Sequence, residues 1–306
     1  MIGAIATLLF FACTAVFANR SASLLGPLPA NALRLLLAAL ILGVWAHAVG
    51  MGLGGVSLGW FILSGIAGFG VGGVAMFQAL PRLGSSLAML IVQCFTVWVA
   101  AGLEWAWLGT RLSSAQLGFA VLTLAGVCIG LAPASWPRLE PAAWKSGIAW
   151  ALLSATGQGV GAVLSRKAFF VARAAQAMPD AATTAYQRAL GGLAVAGLAL
   201  VIAFWMRKKE GEGAARSSLP APRQGGLRAA WPWVMGNVLA GPVLGVTCYQ
   251  WALSTTPAGI VQPVVAASPL ATIPLAAWIE GGWPRFRYYP GALLAVLGVA
   301  GLYLVR

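Results

Sequence analysis

The chain alternates long apolar stretches with short polar breaks. Stretches of about 17 to 25 residues with few charges have the length that crosses a bilayer as a helix. Ten of them lie at 2–19, 31–49, 59–79, 84–103, 114–132, 146–165, 183–206, 231–252, 259–279 and 289–305. The breaks hold turn formers and charge: Asn19-Arg20, Pro81-Arg82, Gly109-Thr110-Arg111, residues 133–141, Arg166-Lys167 and residues 207–228. A membrane barrel would show alternating segments of about ten residues, so the pattern predicts an all-α integral membrane protein with ten transmembrane helices. Val16-Phe17-Ala18 has the small-x-small form of a leader cleavage site, but no basic residue precedes the apolar stretch, and the first run is read as a retained helix.

The hydrophobic pattern also repeats. QALPRLGSSLAMLIVQ, beginning at Gln78, is echoed by WALSTTPAGIVQPVVA, beginning at Trp251, an offset of 173. The same offset pairs Trp60 with Trp233, Ala67-Gly68 with Ala240-Gly241, Gly72 with Gly245, Trp105 with Trp278, Gly109 with Gly282 and Gly118 with Gly291. With a slipping offset, Gly3, Arg20 and Arg34 pair with Gly147, Arg166 and Arg188. The unit is a five-helix repeat used twice, residues 1–140 and 141–306. Because five crossings are odd, the second copy enters from the opposite face, and the halves are inverted repeats. That arrangement places a site between the halves and lets one protein open to either side.

Composition excludes most other classes. Apolar residues make up 60% of the 306 and charged residues only 8%, against roughly a quarter charged in soluble domains. Cys13, Cys94, Cys128 and Cys248 fall in different predicted helices without metal-ligand spacing and are read as small core hydrophobes. No metal site and no cofactor are expected. A membrane enzyme needs a His base, paired carboxylates or a metal cluster. Here the one histidine, His47, falls in a predicted loop, and the acids Glu104, Glu280, Glu140, Asp180, Glu210 and Glu212 fall at helix ends or in loops. The net charge of +13 sits at helix ends and in the 207–228 stretch. It is therefore assigned to a membrane face rather than to nucleic acid.

Several short patterns resemble the drug/metabolite transporter superfamily, EamA type. They are the Ala-Leu step between helices three and four, the Arg near the start of helices two and seven (NALRLLLAAL and YQRALGGLAV), and the Gly-then-aliphatic fifth helix of each half (LGFAVLTLAGVCIGL and PGALLAVLGVAGLYL). The resemblance covers essentially the whole chain and implies a multi-pass transporter of the plasma membrane, the inner membrane of a bacterium. It implies a small-molecule substrate, a lipid surround and a monomer or homodimer. The chain departs from the family where a Gly-Glu pair often follows the fourth helix of each half. It reads Gly109-Thr110 in the first half and Gly282-Trp283 in the second.

Polar residues inside the runs are the functional pointers, since each is costly in lipid unless partnered or solvated. Gln93 and Thr96 lie in helix four, Gln158 in helix six, Tyr249 and Gln250 in helix eight, and Gln262 and Ser268 in helix nine. These helices line the cavity in the resembling family, so the set reads either as substrate contacts or as interhelical glue. Arg34 and Arg188 read as interfacial snorkels, or, for Arg188 beside Tyr186 and Gln187, as a contact for a substrate carboxylate or phosphate. The pairs Gly68/Gly72, Gly126/Gly130, Gly157/Gly161 and Gly241/Gly245 are packing sites. Pro257, Pro263, Pro269 and Pro274 predict a broken, cavity-lining helix nine.

The resembling four-helix multidrug exporters carry a proton-exchanging Glu in helix one, and residues 1–19 hold no acid. The expected function is therefore export of an amino acid or similar neutral, zwitterionic or anionic metabolite by facilitated diffusion or exchange. A lipid or lipid-linked sugar flippase is the alternative. Lys and Arg number twelve after odd helices and five after even ones, which by the positive-inside rule puts both termini outside, whereas the family has them in the cytoplasm.

Overall fold

The computed structural model describes residues 1–133, 140–214, 226–280 and 283–305. These form helices, with no strand among the described residues. The first half is α1 (Ile2–Leu25), α2 (Pro27–Ala48), α3 (Leu58–Gly65, continuing through Ile66–Val71 into Gly72–Leu83), α4 (Ser85–Leu108) and α5 (Ser114–Leu131). The second half is α6 (Pro141–Ala174), α7 (Ala181–Ala214) and α8 (Gly226–Val238, continuing through Leu239–Gly245 into Val246–Thr255). Then come α9 in two pieces (Ala258–Ala266 and Ser268–Glu280) and α10 (Tyr288–Leu304). Among the described residues, α1 to α9 are long and apolar enough to cross a membrane, and α10 is a shorter apolar helix.

The packing is reciprocal between the halves. α3 lies against α6 and α7, while α8 lies against α1 and α2; α4 packs on α6, α9 on α1, and α5 on α10. Ile66–Val71 and Leu239–Gly245 are both π-helical, and their first residues are 173 apart. A π stretch inserts an extra residue per turn and turns side chains away from α-helical register. Neither was predicted, although both overlap the paired Gly-x3-Gly segments.

Those glycines are where the halves touch. Lipid tails are as apolar as the helices, so helices associate by close backbone packing rather than by the hydrophobic effect. A methyl on Gly161 would stand 3.1 Å from the Gly68 Cα, and one on Gly157 3.0 Å from the Gly72 Cα. The two pairs interlock antiparallel. Ser64 reinforces the seam by donating to the Gly161 carbonyl at 2.6 Å, and Ser154 by donating to the Gly72 carbonyl at 2.8 Å. Gly126 and Gly130 likewise meet Gly291 across the α5–α10 contact.

Several boundaries differ from the sequence expectation. α1 runs through Asn19-Arg20 and α3 through Pro81-Arg82; the turns fall instead at Gly26 and Gly84, with φ of 85° and 78°. Positive φ is accessible to glycine without steric cost, so the glycines set the joints. α6 passes through Arg166-Lys167, placed in a break by the sequence, and ends eight residues later. His47 lies in the last turn of α2, not in a loop, edge-on to Tyr186. The cysteines are not core residues: Cys128 is exposed and the other three half-buried, with the Cys94 and Cys128 sulfurs 3.5 Å apart. In α9, Pro257 caps the first piece and Pro269 opens the second, so only Pro263 and Pro274 interrupt helix; the break is at Ala267. The expected break at 133–141 and the basic stretch at 207–228 lie largely outside the described residues, as do Gly282 and the side chains of Glu210, Glu212 and Glu280.

Candidate functional site

Four of the expected polar residues meet in the interior. Arg188 lies on α7, seven residues after its first residue, Ala181, which at helical rise is about 10 Å in from that end. Its side chain is 4% exposed, and Nη1 donates to Gln250 Oε1 on α8 at 3.4 Å. The guanidinium sits over the Tyr249 ring at 5.2 Å and over the Phe69 ring at 4.7 Å. Gln262, from the first piece of α9, donates from Nε2 to the Tyr249 hydroxyl at 2.8 Å. Every residue of Ala258–Ala266 is buried. The arrangement therefore gathers α3, α7, α8 and α9 around one cation.

Phe69 was not anticipated. It lies in the π stretch of α3, and a local change of winding of that kind has no apolar periodicity to betray it. A methyl on Gly68 beside it would stand 2.7 Å from Arg188 Nη2, so the guanidinium would have to shift. The cluster has no polar copy in the first half: at the 173-residue offset Tyr249, Gln250 and Gln262 align with Met76, Phe77 and Met89. Arg34, the counterpart of Arg188, is half-buried and donates from Nε to Asn31 Oδ1 on its own helix at 3.0 Å.

The other expected residues lie apart from this group. Thr96 is buried and donates to the Ala155 carbonyl on α6 at 3.3 Å. Half-buried Gln158 donates to Ser154 at 3.2 Å, on the α3–α6 seam. Both are joined to helix packing. Gln93 is half-buried on α4, and Ser268 is buried where the second piece of α9 begins. No hydrogen bond among the described residues joins either side chain to Arg188, Tyr249, Gln250 or Gln262.

A second buried charge group binds the α8–α9 joint. Glu104, on the last turn of α4, is 2% exposed; its Oε1 accepts from Arg166 Nε on α6 at 3.0 Å, and its Oε2 accepts from the Gly259 amide at 3.0 Å. Arg166 Nη1 donates to the Leu253 carbonyl at 2.6 Å. Leu253 and Gly259 flank the turn in WALSTTPAGIVQPVVA, so one ion pair ties both sides of the joint to α4 and α6. The sequence placed Glu104 at a helix end and Arg166 in a break. The available signal was a charge at the edge of an apolar run, which pairing alone makes tolerable in the membrane.

The sequence profile of the EamA-like transporter family matches residues 1–131 and 145–304, nearly the whole chain. The chain belongs to the EamA-like transporter family. It is a multi-pass membrane transporter of the drug/metabolite type, which handles a small-molecule substrate in a lipid surround. A solved structure described only as "Crystal structure of protein" is 20% identical, with a TM-score of 0.73, and the alignment covers 99% of this chain and 96% of that one. At that identity the likeness bears on the fold alone. No curated protein matches the chain.

Proposed function

We propose that this EamA-like transporter exports an amino acid or a similar neutral, zwitterionic or anionic metabolite by alternating access between two inverted repeats, residues 1–140 and 141–306. The substrate site is formed by Arg188, Tyr249, Gln250 and Gln262. One observation carries the proposal: four polar side chains from α7, α8 and α9 converge in a buried group although each is costly in an apolar bundle. Thr96 and Gln158 serve as packing bonds, and Gln93 and Ser268, on α4 and α9, stand apart from the group. The protein works as a monomer or homodimer in the plasma membrane, the inner membrane of a bacterium.

The uncoupled mechanism is supported by how the interior acid is held. Both carboxylate oxygens of Glu104 are engaged, one by Arg166 and one by the Gly259 amide, which suits a fixed structural ion pair better than a proton carrier. A flippase would need its polar groups open to lipid, whereas Arg188, Tyr249, Gln250 and Gln262 are all buried. The test is uptake and counterflow in proteoliposomes across amino acids, organic acids, nucleobases, sugars and labelled lipids, with and without a pH gradient. Counterflow of a solute at a rate indifferent to the gradient is the expected result. Strong acceleration by the gradient overturns the uncoupled mechanism, and movement of lipid alone overturns the metabolite reading.

A further inference from the structure

We infer that the substrate presents an anionic group, a carboxylate or phosphate, which Arg188 and Gln250 hold between them. This rests on the transport reading and narrows it to a class of substrate. The charge balance of the interior comes first. Arg166, the other buried arginine among the described residues, has its counter-ion in Glu104 and gives a further hydrogen bond to the Leu253 carbonyl. Arg188 is buried as deeply, yet no ion pair joins it to an acid among the described residues. Its neighbours are a neutral amide, the Tyr249 hydroxyl and two aromatic faces.

The unused donors point the same way. Arg188 Nε and Gln250 Nε2 are both buried without a hydrogen-bond partner among the described residues. Each is a donor with no acceptor role, and an orphaned buried donor costs free energy that a native fold ordinarily avoids. The two belong to side chains already in contact through Arg188 Nη1 and Gln250 Oε1. The group therefore offers donors and positive charge, with aromatic faces stabilising the cation. An oxyanion supplies what is missing, since its oxygens accept from a guanidinium and an amide together. The apolar counterparts Met76, Phe77 and Met89 leave the first half without such a group, so the anion is held on one side of the repeat axis.

Arg188 also has a bland role to be tested against, that of a brace among Phe69, Tyr249 and Gln250. The two differ in sign. A charge kept without its counter-ion destabilises the empty protein, and its removal stabilises it; a brace destabilises when removed.

The experiment measures thermal unfolding of the purified full chain in detergent, with and without paired probes that share a shape and differ in charge. The pairs are phenylacetate and phenylacetamide, glutarate and glutaramide, and phenyl phosphate and phenol, with inorganic phosphate alone as a further acid. At least one acid is expected to raise Tm in a saturable way while its neutral partner does not. Arg188→Gln should bind that acid about a hundredfold more weakly and should unfold at or above the wild-type temperature when empty. Gln250→Glu provides a second variant that does not remove the arginine: its carboxylate occupies the place of the ligand, raising the empty Tm and abolishing the response to acids. Arg34→Gln, away from the group, should keep the wild-type response.

An acid response unchanged in Arg188→Gln overturns the inference. So does a lower Tm for the empty variant, or a panel in which no acid shifts the wild type and no anionic lipid moves. Vesicles containing labelled phosphatidylglycerol or labelled phosphatidylcholine separate the two sources of the anion: movement of the anionic lipid alone, with no soluble acid bound, keeps the subsite and makes its ligand a head group. The transport reading fails separately. Acid binding that depends on Arg188 without any counterflow removes transport and leaves the subsite, whereas counterflow of a neutral solute untouched by Arg188→Gln leaves transport and removes the subsite.

Discussion

At the scale of single residues, a polar group in this chain is explained by what it touches. Gln262 bonds Tyr249 inside the candidate site, whereas Gln158 bonds Ser154 on the glycine seam. Tyr249→Phe removes the acceptor for Gln262 at a cost of about 1 kcal/mol. It should weaken apparent substrate affinity in counterflow about fivefold, while Gln158→Leu should leave affinity within about twofold. Outside the membrane, Asp180 precedes α7. Burial raises its pKa, but hydrogen bonds from the Thr183 hydroxyl and amide, Trp45 Nε1 and the Ala182 amide outweigh it and hold the carboxyl below its usual 3.8. A carboxyl with a lowered folded-state pKa contributes stability that is full above its unfolded value and lost as pH falls through the folded one. Asp180→Asn should therefore lower Tm at pH 7, and the difference from wild type should shrink once the pH falls below 3.8. A difference that persists in acid would remove the carboxylate explanation.

At the scale of elements, the α8–α9 joint is fixed by groups far away in sequence. Glu104 and Arg166 come from α4 and α6 and hold Gly259 and Leu253 on either side of the turn. Removing one partner of a buried pair leaves the other charge uncompensated, at about 3–5 kcal/mol. Glu104→Gln should therefore lower Tm markedly and make the 253–259 segment more accessible to amide exchange; exchange unchanged there would mean the joint stands without the pair. The helices themselves were legible: among the described residues nine of the ten apolar runs lie in helices long enough to span and the tenth in a shorter apolar helix. Their joints were read too early at Asn19-Arg20 and Pro81-Arg82, because charge was taken as the stop signal. In the folded bundle, Gly26 and Gly84 supply the positive φ that turns the chain.

At the scale of the whole molecule, the echo between QALPRLGSSLAMLIVQ and WALSTTPAGIVQPVVA has a structural equivalent. The π stretches of α3 and α8 keep the same 173-residue offset, and each packs on the first two helices of the other half. The halves share a frame and differ in what they hold, since the polar cluster belongs to the second. For orientation the charge is the guide: basic residues are more numerous toward and beyond the C-terminal ends of the odd-numbered helices, and the expectation is that both termini face outward. A reporter fused after Arg306 should be active only outside the cytoplasm; activity only in the cytoplasm would overturn that orientation.

Length and hydrophobicity determined the number of crossings, because a bilayer accepts only spans of sufficient length with satisfied backbone groups, and that information is local. The 173-residue echo was likewise written in the order of residues. Which polar residues act together was not, because Arg188, Tyr249, Gln250 and Gln262 come from three helices and Phe69 from a fourth. Their meeting depends on how the α3 π stretch and the two pieces of α9 are turned toward the interior. Tertiary packing also decided which buried arginine has a counter-ion among the described residues: Arg166 has Glu104, and Arg188 is joined to no acid. That difference arises from neighbours brought together across the bundle.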